Sequence, residues 1–97
     1  MKTRLLLLLS LLLLAASAHS SEQRQARELM EQGEILPLTA IITHARAAQP
    51  GRILEVELER KSGRWLYELE VLDDQGQIWE LKLDARSGDV LQRKRED

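Results

Sequence analysis

The chain has 97 residues, of which 43% are hydrophobic and 31% charged, a balance typical of one small folded domain. It contains no cysteine, which excludes disulfides, a thiol nucleophile, cysteine-bound metals and a lipid-modified cysteine. The net charge is −2 at pH 7, and nucleic acid is not an expected partner because backbone phosphates are held by basic surface.

The first eighteen residues have the three parts of a secretory signal peptide. Lys2 and Arg4 precede a leucine-rich segment, and Ala16 and Ala18 form an A-x-A cleavage site. The apolar segment is shorter than the ~20 residues that span a bilayer, which argues against a retained anchor. We expect cleavage after Ala18 and a periplasmic or secreted protein without a stable membrane anchor. Loss of the two basic residues moves the net charge from −2 to −4.

Two helices are predicted before the first proline–glycine break. Residues 19–32 form a polar helical lead-in that ends at Gly33, and Pro37 is suited to the first turn of a second helix, Leu38–Ala48. Apolar residues recur at helical spacing in both segments. They are Ala26, Leu29 and Met30 in the first helix, and Leu38, Ile41, Ile42, Ala45 and Ala48 in the second.

After Pro50 and Gly51 the apolar period changes to two, which is typical of half-buried strands. Three such segments, over residues 54–58, 65–72 and 78–84, are joined by short turns, so we expect an antiparallel meander. A consistent inner face sets the register between the strands. The expected pairs are Leu54 with Val71, Val56 with Leu69, Leu58 with Tyr67, Tyr67 with Leu83, Leu69 with Leu81, and Val71 with Trp79.

The predicted fold class is α+β, with one main helix packed on a three-stranded antiparallel meander sheet and a short helix before it. The expected core is Leu38, Ile41, Ile42, Ala45, Leu54, Val56, Leu58, Trp65, Tyr67, Leu69, Val71, Trp79, Leu81 and Leu83. We divide the chain into a signal peptide over residues 1–18, the lead-in over 19–32, a folded domain over 33–92 and a charged tail over 93–97, which we expect to fray.

The outward face of the predicted sheet is strongly acidic, with glutamates opposed across the strands. We interpret it as a solvated face, or alternatively as a surface for a basic partner or a divalent cation. A meander also has free edges, and we expect the strand Ile78–Leu83 to accept a partner strand or a second copy, unless Val90 and Leu91 cover it. The candidate partner-binding residues are Glu55, Glu57, Glu68, Glu70, Ile78, Glu80 and Lys82.

Nothing in the sequence has the spacing of a catalytic constellation, so we expect no enzyme activity, no catalytic residue, no metal site and no cofactor. The two histidines have simpler interpretations. His44 lies off the apolar stripe of its helix, as an exposed histidine would. His19 would begin the mature chain, where the terminal amine and the imidazole could chelate copper, but no second ligand is placed by spacing.

The order of helix, proline–glycine break and strands, with the segments 51–59 and 65–69, resembles the PepSY domain family. The end of the third strand, Asp84-Ala85 followed by Gly88, is similar to the close of that family's domain. The resemblance covers about residues 33–91. It implies structural roles for five family-motif residues, although local turn chemistry also accounts for the last three. They are Tyr67, Glu68, Asp84, Ala85 and Gly88.

The resemblance implies regulation and not catalysis, because the family is associated with the modulation of peptidases and with binding at the cell envelope. We therefore expect a non-enzymatic exported binding or regulatory module of the cell envelope. Its partner would be another envelope protein, either a peptidase or a membrane sensor, and a homodimer is compatible with the free edges. The alternative is a small-ligand or divalent-cation binding protein that uses the acidic sheet face.

Overall fold

The computed structural model describes residues 21–96 and shows an α+β fold. The predicted signal peptide lies outside these residues. Within them, two helices precede an antiparallel sheet of order β1-β2-β3-β4, so the fold class is confirmed but the sheet has four strands instead of three. The elements are α1 over residues 21–31, α2 Leu38–Ala48, β1 Arg52–Lys61, β2 Arg64–Leu72, β3 Ile78–Asp84 and β4 Val90–Glu96.

Helix α2 covers the inner face of the sheet on the side of β3 and β4. Its apolar stripe buries Ile41 and Ala45 completely, while Ile42 is half-buried. The prediction that Leu38 belongs to the core is wrong, because this side chain is 43% exposed at the start of the helix. The helix thus leaves the inner face of β1 to other parts of the chain.

Strand β1 contains a bulge that changes part of the predicted register. Leu58 pairs with Tyr67 and Val56 with Leu69 as expected, but the register shifts between Ile53 and Glu55. A bulge sets an extra residue against the partner strand, so Ile53 takes the place opposite Val71 that was predicted for Leu54. Leu54 is 44% exposed and is not a core residue.

The hairpin of β2 and β3 has the predicted register, with Leu69 opposite Leu81 and Val71 opposite Trp79. Ile35 and Ala85 join its core although the sequence pattern did not indicate them, and the Leu36 N–H donates to the Ala85 carbonyl at 2.7 Å. Val56, Leu58 and Trp65 pack against the core while half-buried. The buried cluster is Ile35, Ile41, Ala45, Tyr67, Leu69, Val71, Leu81, Leu83 and Ala85.

Strand β4 was not predicted. It pairs along β3 from Val90 to Glu96, so the charged residues that we expected to fray form a strand instead. The expectation that Ile78–Leu83 accepts a partner strand held only if Val90 and Leu91 did not cover it, and β4, which begins at Val90, does cover it. The edges of the described sheet are therefore β1 and β4. Within the part of the chain that the structure describes, neither α1 nor α2 has the length and hydrophobicity of a membrane-spanning helix.

Candidate functional site

The outer face of the sheet gathers five of the predicted site residues into one surface, which we call the acidic face. The strand registers place Glu55, Glu70 and Glu80 in one row and Glu57 opposite Glu68 in the next. These side chains line a shallow groove of about 240 Å³. The acidic face comprises Glu55, Glu57, Glu68, Glu70 and Glu80.

Crowding of like charges affects the protonation of this face. Contact with the Glu55 carboxyl raises the pKa of Glu57 above its ordinary value, and the charge of Glu59 adds to the effect. Burial is the main cause of the raised pKa of Glu68, with a further contribution from the charge of Glu59. Both shifts mean that protonation, or a cationic group placed nearby, would stabilise the acidic face.

Lysines border the acidic face on its β3–β4 side. Lys82 pairs with Glu68 in the strand register and Lys94 pairs with Glu80. The charge of Lys82 opposes the other causes that raise the pKa of Glu68. These two lysines lie away from β1, whose own lysine on this face, Lys61, stands at the end of the strand.

The predicted site residue Ile78 does not join the acidic groove. It is half-buried at the start of β3, between Leu72 and Glu96 in the register. Carboxylate oxygens of Glu70, Glu80 and Glu96 lie within 4.8 Å of one another. Glu96 was not predicted as a site residue because the sequence did not indicate that β4 exists.

An apolar groove of about 670 Å³ opens on the inner face, between α1 and the first two strands. It exists because α2 lies over β3 and β4, while the narrow apolar stripe of α1 covers the rest incompletely. Met30 and Leu38 are 38% and 43% exposed here. The apolar lining is Ala26, Met30, Leu38, Val56, Leu58 and Tyr67, and Glu22, Gln23 and Arg27 lie at the rim.

The sequence prediction missed this apolar groove because it assumed that α2 would cover all the strands. The signal that could have found it is the shortness of the α1 stripe, since Ala26, Leu29 and Met30 cannot cover a ten-residue strand. The groove and the acidic face lie on opposite sides of β1. This strand contributes Val56 and Leu58 to the groove, and Glu55 and Glu57 to the acidic face.

The family-motif residue Asp84 closes the turn after β3. Its Oδ1 accepts hydrogen bonds from the backbone N–H groups of Arg86 at 2.9 Å and Ser87 at 3.0 Å. Its Oδ2 lies 3.2 Å from Nε of Arg64. These contacts, with the Ser87 N–H as the largest cause, lower the pKa of Asp84 below its ordinary value. The carboxylate thus acts as a turn-forming group.

Ala85 and Gly88 fix this turn against the helices. Ala85 is fully buried and its N–H donates to the Trp65 carbonyl at 3.0 Å. Gly88 has φ +82°, and a Cβ atom placed there would lie 2.6 Å from the His44 ring of α2. The family-motif residues Tyr67 and Glu68 lie on opposite faces, Tyr67 lining the apolar groove and Glu68 the acidic groove.

A second polar cluster attaches β4 to the end of α2. Trp79 Nε1–H donates to Asp73 Oδ2 at 2.9 Å, which is the largest cause of the lowered pKa of Asp73. The Arg93 guanidinium lies 4.1 Å from the centre of the Trp79 ring. Its Nε–H also donates to the buried Gln49 at 3.0 Å.

Together these features define a small α+β domain with an acidic outer face, a half-open apolar inner face and a tightly bonded closing turn. The model of the family described as peptidase propeptide and YPEB domain matches residues 35–94, from the segment before α2 into β4. The chain belongs to this family, PepSY, which confirms the resemblance seen in the sequence. No curated protein and no solved structure matches the chain significantly.

Proposed function

We propose that this protein is a non-enzymatic, exported module that binds and regulates another protein of the cell envelope, either a peptidase or a membrane sensor. The observation that carries the proposal is the match of residues 35–94 to a family of peptidase propeptide domains. A propeptide-like domain acts through contact with another protein, so its function depends on surfaces more than on reactive groups.

The two surfaces of the molecule support a binding role. Exposed charge, as on the acidic face, accelerates encounter and selects partners more than it adds affinity. Affinity comes mainly from apolar side chains that become fully buried near the centre of an interface. The apolar groove, with the exposed side chains of Met30 and Leu38, offers such a contact.

The proposal is tested by photo-cross-linking in cells that produce the protein. A cross-linking amino acid is placed at Glu57 or Leu58, and at Asp74 in the β2–β3 turn as a control. We expect adducts with a peptidase or a sensor protein at the first two positions and a much weaker adduct at the control. If the exported protein gives no adduct with a peptidase or a sensor at any surface position, β4 included, or if the control at Asp74 gives equal adducts, the proposal is overturned.

The exported location has its own test. Edman sequencing of the protein from the periplasmic fraction or the medium should give His19 as the first residue. A chain that begins at Met1 and sediments with membranes would contradict export with cleavage.

A second candidate function is divalent-cation binding on the acidic face. The close approach of the carboxylates of Glu70, Glu80 and Glu96 favours it, since Ca²⁺ and Mg²⁺ prefer oxygen ligands. The ammonium group of Lys94, which lies opposite Glu80, would compete with a divalent cation for these carboxylates. Under this candidate Ca²⁺ or Mg²⁺ raises the melting midpoint and Glu80→Gln abolishes the rise. An unchanged midpoint at millimolar cation excludes it.

A further inference from the structure

We propose that β1 and the apolar groove together bind an extended segment of the partner protein as a fifth strand of the sheet, and that this segment alternates apolar and basic side chains. The inference rests on the proposed function, because it requires a protein partner. It adds where that partner binds and which sequence pattern is recognised.

Strand β1 is an edge strand of the described sheet. In the described sheet β1 has one strand neighbour, β2, so its other side presents backbone N–H and C=O groups along Arg52–Lys61. An unpaired edge of this length is a template for another strand. The bulge between Ile53 and Glu55 twists its first residues, which leaves residues 55–61 as the regular part.

Side chains along β1 alternate between an apolar and an acidic environment. Val56 and Leu58 point to the apolar groove, while Glu55, Glu57 and Glu59 alternate with them on the outer side. An added strand alternates in the same way, so every second side chain would lie in the groove beneath α1. Its remaining side chains would lie beside the glutamates of β1.

The glutamates on the outer side of β1 are complementary in charge to a basic strand. Glu57 lies between Glu55 and Glu59 along the strand and opposite Glu68. Because these like charges crowd its carboxylate, a neighbouring cation would stabilise the ionised form. Lys82 and Lys94 lie on β3 and β4, away from the β1 edge, and Lys61 stands at the end of β1, so the outward row from Glu55 to Glu59 holds no basic side chain. Basic side chains on an added strand would therefore meet acidic residues directly, and opposite charges across strands stabilise pairing.

A second copy of this chain does not fit the same surface. Pairing of β1 with another β1 would set one row of glutamates against another. Pairing of β1 with the β4 strand of a second copy would place Arg93 and Arg95 in the apolar groove. Both residues lie on the inner side of β4, where they pair with Leu81 and Trp79 of β3. Arg93 is also held by Gln49 and Trp79. The occupant is therefore a different protein.

The test uses a peptide of eight residues that alternates valine and lysine. Two control peptides are a block isomer, with the valines before the lysines, and a peptide that alternates valine and glutamate. Hydrogen exchange is measured on the processed protein with each peptide. We expect the alternating valine–lysine peptide to protect the amides of residues 55–61. Protection of β4 instead, or equal protection by the block isomer, overturns the inference.

Matched variants separate the effect of charge at the β1 edge from the effect of the net charge of the protein. Glu57→Lys and Glu80→Lys change the net charge equally, but Glu80 lies on the internal strand β3. Reversal at Glu57 should weaken binding of the valine–lysine peptide about tenfold, because an attractive cross-strand pair becomes repulsive, and Glu80→Lys should have a much smaller effect. Val56→Thr keeps a β-branched side chain and should weaken binding without unfolding the protein. Equal losses for the two glutamate variants overturn the inference.

The result is distinguishable from a failure of the proposed function. If cross-linking in cells yields the peptidase or sensor through positions on β4 while β1 stays unprotected, the regulatory function stands and the β1 assignment is wrong. If no partner is found at any position, the function itself fails. Adducts at β1 together with selective protection by the alternating peptide support both.

Discussion

Gly88 combines a backbone conformation and a contact that each disfavour a side chain. Its φ of +82° is unfavourable for residues with a Cβ, and an added Cβ would collide with the His44 ring. We predict that Gly88→Ala lowers the free energy of unfolding by about 1–3 kcal/mol or more, measured by urea denaturation. The positive φ strains the backbone of an alanine at this position, and displacement of the His44 ring adds to the loss of stability.

A glycine with the same conformation provides the control. Gly76 has φ +80°, and a Cβ added there would meet no atom within 4 Å, so Gly76→Ala carries the backbone cost alone. Combining Gly88→Ala with His44→Ala should recover the difference between the two single glycine variants. Equal losses for Gly76→Ala and Gly88→Ala would show that the His44 contact costs nothing.

Leu69 and Leu54 test the inner face of the sheet residue by residue. Leu69 is 1% exposed and lies opposite both Val56 and Leu81, so Leu69→Ala should cost about 2–5 kcal/mol of unfolding free energy. Leu54 lies in the bulge and is 44% exposed, so Leu54→Ala should cost less than about 1 kcal/mol. Similar losses for the two substitutions in urea denaturation would contradict the bulged register.

At the scale of elements, β4 depends on few side-chain contacts, because all seven of its residues are exposed. Arg93 makes two of them, to the Trp79 ring and to Gln49. We predict that Arg93→Ala increases hydrogen exchange in β4 and lowers the free energy of unfolding by about 1 kcal/mol, the size of a partly exposed cation–π contact. Arg95→Ala, the next inner-facing residue of β4, should change both quantities less. Equal effects of the two substitutions would show that the positive charge of β4, and not the contacts of Arg93 with Trp79 and Gln49, stabilises the strand.

The elements that the sequence predicted are those whose apolar residues repeat with a clear period. The spacing of Ile41 and Ala45 located α2, and alternation with short turns located β1, β2 and β3 with most of their register. Strand β4 was missed because its pairing uses backbone hydrogen bonds along a run of charged residues. A sequence pattern records side-chain burial, and β4 has none.

The candidate site also has one part that the sequence predicted and one part that it did not. The acidic face follows from strand alternation, since Glu57 faces Glu68 and Glu70 lies between Glu55 and Glu80 as the register predicts. The apolar groove could not be predicted, because it depends on which strands α2 covers. That choice is made by tertiary packing, including the contacts of Ile35 and Ala85 that lie outside any periodic pattern.

At the scale of the whole molecule, two groups of carboxyls give opposite pH dependences of stability. Glu57 and Glu68 have pKa values above the ordinary 4.5, so the folded state binds protons more tightly than the unfolded state. Stability therefore rises as the pH falls through their folded pKa values and levels off below about 4.5. Asp73 and Asp84 have pKa values below the ordinary 3.8, so their stabilisation is present above 3.8 and is lost as the pH falls further.

We therefore predict that stability is greatest at mildly acidic pH, between the two windows, and lower both at neutral pH and below about pH 3.8. The measurement is the urea midpoint from pH 3 to pH 8 at low salt. Glu57→Gln with Glu68→Gln should remove the loss of stability toward neutral pH and leave the acid limb. High salt should reduce the contribution of Glu57 to the neutral limb, because exposed like charges are screened, and should leave the contribution from the burial of Glu68. A midpoint that falls steadily from pH 7 downward would show that the raised pKa values of Glu57 and Glu68 do not govern stability.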